Sequence, residues 1–220
     1  MKTTIIQNND IDTPARQIAG YIKKQLASNK SVLWMVSGGS VIKVAVRVRQ
    51  LLGALKTDTV LHVALCDERY GEVGHLNSNL EKLLLAGFDS TGLIIHPVLR
   101  GGAIASTSKN YNNTLHKVLG DVDSMIGILG MGADGHTAGL LPGNPLMDRP
   151  DYVGYFTGPD FERITTTPAL LRQIDQVCLY AVGEEKWPII SKIDTTTLPV
   201  ACLRQAKYVT VYTDYKGAKL

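Results

Sequence analysis

The chain has 220 residues, 45% of them apolar and 20% charged, an ordinary globular balance in a length that fits one large domain. Its 23 basic residues against 20 acidic leave a net charge of +3, and neither sign forms the long block that a nucleic-acid arm or a disordered tail carries. The N-terminal MKTTIIQNNDIDTP lacks the apolar core of a signal peptide and no stretch is apolar for the length of a bilayer span, so a cytoplasmic protein with no nucleic-acid and no membrane partner is expected.

In chain order, Asp12-Thr13-Pro14 reads as an N-cap followed by a first-turn proline. Ala15, Ile18, Ala19, Ile22 and Leu26 follow at helical spacing, so the chain is expected to open with an amphipathic helix. Residues 32–36, VLWMV, form a short continuous apolar run that ends in Ser37, Gly38, Gly39 and Ser40. Val41, Val44, Val48 and Leu51 then recur at helical spacing, which gives strand, glycine turn, helix. The pattern returns in residues 60–65, which stop at Asp67-Glu68-Arg69 and lead through a Gly/Asn-rich loop into a capping box, Ser78 to Glu81. It appears again in residues 124–129 before Gly130-Met131-Gly132-Ala133-Asp134-Gly135-His136, and in residues 176–182 before Gly183 to Lys186. Residues 153–156, 200–203 and 209–212 are expected as further strands.

Continuous apolar strands separated by helical segments predict an α/β fold, a single domain over residues 1–220. Its central sheet should be mostly parallel and flanked by helices on both faces, a Rossmann-like three-layer arrangement. Ligands of such sheets bind beyond the carboxyl ends of the strands, so the polar clusters should meet in space. Cys66, Cys178 and Cys202 lie in or beside apolar runs without C-x-x-C spacing and read as reduced, mostly buried thiols.

The loops carry the chemistry. Ser37 to Ser40 sits between strand and helix, where backbone N–H groups, the helix dipole and hydroxyls converge on an anion, most naturally a phosphate. Gly130, Gly132 and Gly135 formally satisfy the dinucleotide fingerprint, but the acidic residue that should close the next strand is out of register, at Asp151 before residues 153–156. Asp134 would also set negative charge in a pyrophosphate loop. Asp134 and His136 instead read as chemical: an imidazole exchanges protons near neutral pH and a carboxylate orients it. Asp67 and Arg69 suit hydroxyls, a phosphate or a developing oxyanion. Arg163 and Lys186, taken singly, are no more than surface cations. The chain has no serine-hydrolase elbow, no nucleotide P-loop, and no zinc-type histidine or cysteine spacing, so no metal and no cofactor is expected. The remaining histidines, His62, His75, His96 and His116, are expected to serve packing or surface roles.

Taken together and in order, Val36 to Ser40, Asp67 to Arg69, Ser78-Asn79, Gly130 to Thr137 with Leu141 to Gly143, Arg163 to Thr167 and Gly183 to Lys186 resemble the glucosamine-6-phosphate isomerase/6-phosphogluconolactonase family over nearly the whole chain. Within it, Asp67-Glu68-Arg69 favours the lactonase side. The resemblance implies metal-independent hydrolysis of 6-phospho-D-glucono-1,5-lactone to 6-phospho-D-gluconate in the oxidative pentose phosphate route. It implies His136 as the base that activates water, Asp134 as its orienting partner, and Asp67 and Arg69 on the sugar or the oxyanion. Ser37, Gly38, Gly39, Ser40, Arg163 and Lys186 would hold the phosphate. The alternatives are an amino-sugar phosphate deaminase/isomerase, with Asp67 as its base, and a non-catalytic sugar-phosphate sensor. The chain departs from the family pattern at Val41-Ile42 in place of Thr-Pro, at Tyr70 in place of tryptophan and at Gly139 in place of serine. A monomer or homodimer is expected. The C-terminal Ala-Lys-Leu resembles a peroxisomal address, a minor alternative to the cytoplasm.

Overall fold

The computed structural model describes residues 2–55 and 60–217. A central sheet of seven strands runs in the order β1 (Lys2–Gln7), β10 (Tyr208–Thr213), β9 (Gln176–Tyr180), β6 (Ser124–Gly130), β2 (Val32–Val36), β3 (Leu61–Leu65) and β5 (Ile94–His96). Every neighbouring pair is parallel. The helices α1 (Asp12–Ala27), α2 (Ile42–Leu52), α3 (Asn79–Leu85), α4 (Ile104–Asp121), α5 (Pro168–Leu171) and α6 (Trp187–Ile190) lie between strands. All five residues of β2 are fully buried. Side chains alternate sides along a strand, so both faces of the sheet are covered there.

From β2 the chain builds outward through β3 to β5, and from β6 it builds the other way through β9 to β10. The direction of winding reverses between β2 and β6, and in an open parallel sheet the crevice at such a reversal, beyond the carboxyl ends, is where ligands bind. The two glycine loops noted in the sequence leave from these two strands.

A second, antiparallel sheet joins β4 (Asp67–Arg69), β8 (Glu162–Thr166) and β7 (Val153–Thr157). It starts at Cys66, whose N–H still donates to Val36 of β2 while its carbonyl accepts from Thr166. The small sheet thus begins where the large one ends, at the mouth of the crevice.

The structure revises several expectations. The chain does not open with a helix: β1 precedes α1 and pairs along the edge of the large sheet with β10. Asp12 is the first helical residue rather than the cap. Asp10 does that work, its Oδ1 accepting from the Thr13 N–H at 2.7 Å, a bond that lowers its carboxyl pKa. Residues 200–203 are not a strand but part of a 3-10 helix, Pro199–Gln205. Proline has no N–H for a ladder, and the turn still buries Val200, Cys202 and Leu203. The capping box forms by half: Ser78 Oγ accepts from the Glu81 N–H at 3.2 Å, while the carboxylate at the helix start comes from Glu68. All three cysteines are buried and free. The C-terminal Ala-Lys-Leu lies outside the described residues.

Candidate active site

Ser37 continues from β2 with its N–H donating to Ile128, and Gly39 takes a left-handed φ of 70° that carries the chain into a short turn, Gly39–Val41, and then α2. No side chain caps the turn, so its first N–H groups are left for an anion, while the Ile42 N–H that opens α2 donates to the Gly39 carbonyl. Val41, the departure from the family pattern, is fully buried and supplies no hydroxyl.

The loop after β6 folds back so that Gly132 N–H donates to the His136 carbonyl at 3.0 Å, with Gly135 at a φ of 80°. A Cβ at Gly132 would overlap the His136 ring and Asp134. The glycines therefore make room for an imidazole and a carboxylate, not for a pyrophosphate. His136 Nδ1 lies 2.6 Å from Asp134 Oδ1, which also accepts from the His136 backbone N–H at 3.1 Å. Partial burial works against the charge of Asp134, but these hydrogen bonds outweigh it and hold the carboxyl below its ordinary range. An ionised carboxylate only accepts, so Nδ1 carries the hydrogen, and in the neutral imidazole Nε2 is the nitrogen with the lone pair.

On β4 the side chains of Asp67 and Arg69 face one way and Glu68 the other. Asp67 is 7% exposed, and its carboxylate oxygens accept from Ser37 Oγ at 3.2 Å and Asn79 Nδ2 at 3.1 Å. Burial raises its pKa, opposed by Arg69, Ser37, Asn79 and Arg163. Glu68, buried beneath, accepts from the N–H groups of Asn79 and Leu80 and from Ser78 Oγ, fixing the start of α3 and with it Asn79. Across the small sheet Arg69 stands directly opposite Arg163. Like charges in that position repel. Lys186, in the turn after β9, is 8% exposed and donates to the Val182 carbonyl at 2.8 Å, with Glu185 Oε1 at 3.9 Å.

These elements enclose one cavity of about 350 Å³. Ser37, Gly38, Gly39, Ser40, Asp67, Arg69, His136, Arg163 and Lys186 all line it. Asp134 does not line it and stands behind His136. Its walls also hold residues that the sequence did not assign, among them Asn79, Met131, Leu141 and Glu185. Asn79 could have been found from the Ser78-Asn79 pair, whereas nothing in the sequence marks Glu185 apart from its neighbour Lys186. The other histidines lie elsewhere: His62 and His96 share a hydrogen bond at 2.8 Å, His75 contacts the Arg69 carbonyl, and His116 stacks on Tyr152. Among the described residues no three His, Cys, Asp or Glu side chains group as metal ligands.

A family model described as glucosamine-6-phosphate isomerases/6-phosphogluconolactonase matches residues 8–212. The chain belongs to this family. Curated relatives in the glucosamine-6-phosphate isomerase/6-phosphogluconolactonase family include a 6-phosphogluconolactonase of Rattus norvegicus, 29% identical over 160 residues that cover 64% of this chain and 60% of that protein. Another, from Pseudomonas aeruginosa, is 30% identical over 138 residues, covering 61% and 56%. The matches thus span about three fifths of these relatives' length. A crystal structure of 6-phosphogluconolactonase from Thermotoga maritima shares the fold with a TM-score of 0.84 at 22% identity, covering 96% of this chain and 99% of that one.

Proposed function

We propose that this chain is one catalytic domain that hydrolyses 6-phospho-D-glucono-1,5-lactone to 6-phospho-D-gluconate, the second step of the oxidative pentose phosphate route. The observation that carries the reading is the presence of His136, already oriented by Asp134, in the same cavity as the Ser37 to Ser40 loop, Arg163 and Lys186. Family membership and the lactonase names of the curated relatives support it.

In this reading the phosphate sits on the uncapped N–H groups of the serine-glycine loop, between Arg163 and Lys186. His136 Nε2 takes a proton from water and the resulting hydroxide oxygen bonds to the lactone carbonyl carbon. The carbonyl electrons move to oxygen, where Arg69 meets the developing charge. When the tetrahedral intermediate collapses, the bond from that carbon to the ring oxygen breaks, and the imidazolium returns its proton to the departing oxygen. Asp134 stays ionised throughout and keeps the ring oriented. Asp67, tied by Ser37 and Asn79, accepts from a sugar hydroxyl. No step calls for a metal or cofactor. The free, buried cysteines fit a reducing cytoplasm, and no helix among the described residues is long and apolar enough to cross a membrane.

The experiment is acid release from freshly generated 6-phosphogluconolactone, corrected for spontaneous hydrolysis, run beside an assay of ammonia release from glucosamine 6-phosphate. The proposal expects acceleration of the first only. Ammonia release without lactone opening would assign the chain to the isomerase side of the family.

A further inference from the structure

Arg69 and Arg163 stand opposite one another on one face of the small sheet, an arrangement that repels and must be held by something else. The tip of the β7–β8 hairpin, Gly158 to Phe161, supplies the restraint. Asp160 takes Arg163 end-on, its two oxygens accepting from Nη1 at 2.6 Å and Nη2 at 3.0 Å. That pairing holds the Asp160 carboxyl below its usual range. The Phe161 ring lies against both cations, 5.7 Å from the Arg69 guanidinium carbon and 5.8 Å from that of Arg163. One aromatic ring shared by two guanidiniums offsets part of their repulsion without neutralising either. Gly158 completes the arrangement by absence of a side chain: a Cβ there would overlap Arg163 Nη1.

These contacts use the end of the Arg163 fork. They leave its Nε–H and the second Nη2 hydrogen for the cavity that Arg163 lines. We propose that Gly158, Asp160 and Phe161 form a specificity-determining cradle that aims the Arg163 guanidinium at the phosphoryl group of the substrate, with the Phe161 ring seated between it and Arg69. The cradle, resting on the phosphate reading above, makes these three positioning residues: they touch the arginines rather than the substrate. Selectivity for a phosphorylated over a plain sugar then depends on a hairpin tip that does not itself touch the anion.

Two charge-neutral variants test this on the full chain. The Cβ of Gly158→Ala would overlap Arg163 Nη1 and stand 3.0 Å from the Phe161 carbonyl, so the Arg163 guanidinium must move and the hairpin tip must give slightly. Phe161→Leu removes the shared ring. Titration calorimetry with inorganic phosphate should show binding weakened by about fivefold in each, the scale of one or two cation–π contacts. For Gly158→Ala, the KM for the phosphorylated lactone should rise by about the same factor while turnover of unphosphorylated gluconolactone is unchanged. Circular dichroism and the melting temperature report whether each variant is folded. Unchanged phosphate affinity in both folded variants, or equal losses with phosphorylated and plain lactone in Gly158→Ala, would overturn the cradle. A wild-type chain that binds phosphate, loses that binding in both variants and yet opens no lactone would leave the cradle standing and remove the proposed reaction instead.

Discussion

The two sheets divide the work of the molecule. The seven-stranded sheet is built of buried parallel strands, and its loops bring the serine-glycine anchor and the Asp134–His136 pair to the crevice between β2 and β6. The three-stranded sheet is short and antiparallel, with charged side chains facing the same cavity, and it brings Asp67, Arg69 and Arg163. The large sheet holds the deeper core and brings the imidazole–carboxylate pair, while the small one brings two guanidiniums and a buried carboxylate. The two facing arginines thus lie on the small sheet, off the parallel strands of the core.

That division can be broken, and the largest effect is expected in the large sheet. Ile128→Ala, at a fully buried position of β6, should cost about 2–5 kcal/mol in urea unfolding, whereas Thr157→Ala on the exposed side of β7 should change stability by less than about 0.5 kcal/mol. Comparable losses from both would deny the large sheet its leading role. Next comes His136→Ala, which should lower lactone turnover by about 10²-fold or more with the fold intact. Turnover at the wild-type level would remove the imidazole from the mechanism. Arg163→Ala and Lys186→Ala should act mainly on binding, raising the KM for the phosphorylated lactone by about tenfold while kcat changes little. A fall in kcat alone would move these cations from anchoring to the chemical step.

The smallest effect concerns the edge of the large sheet, where His62 of β3 meets His96 of β5. Burial lowers the pKa of both, and with the nearby His62 and Arg100 it brings His96 down to about 4 from 6.5. Asp121 is the neighbouring charge that pulls His62 the other way. The unfolded chain therefore binds more protons between these values. Stability is complete above about pH 6.5 and falls as pH drops toward 4. Melting temperatures across that range should fall less steeply in a His62→Gln/His96→Gln double variant. An unchanged slope would place the acid sensitivity elsewhere.

Much of this was legible in the sequence, and what was missed has a common physical cause. The runs at 32–36, 60–65, 124–129 and 176–182 read as continuous apolar strands because the strands they contain are buried almost throughout, and from them the parallel sheet and the convergence of its loops follow. Strands at edges carry no such mark. KTTIIQ in β1 and the three residues of β5 owe their state to a distant partner rather than to their own composition. The apolar residues 200–203 misled for the converse reason, because a short buried turn after a proline looks like a short buried strand. At the site, His136, Asp134 and the serine-glycine loop stood out by position at strand ends. Taken singly Arg163 read as a surface cation and only the family resemblance gave it a role, while its place opposite Arg69 is a register no local pattern reveals. The support from Phe161 and Gly158 was invisible for the same reason.

The account stands on an imidazole and two distant cations acting on one bound molecule. Its most direct test is kcat/KM for phosphorylated and unphosphorylated gluconolactone, measured side by side in the wild type, His136→Ala and Arg163→Ala. The wild type should prefer the phosphorylated lactone, His136→Ala should lose rate on both while keeping that preference, and Arg163→Ala should lose the preference itself. Equal rates on the two lactones in the wild type, or a preference that survives Arg163→Ala undiminished, would contradict it.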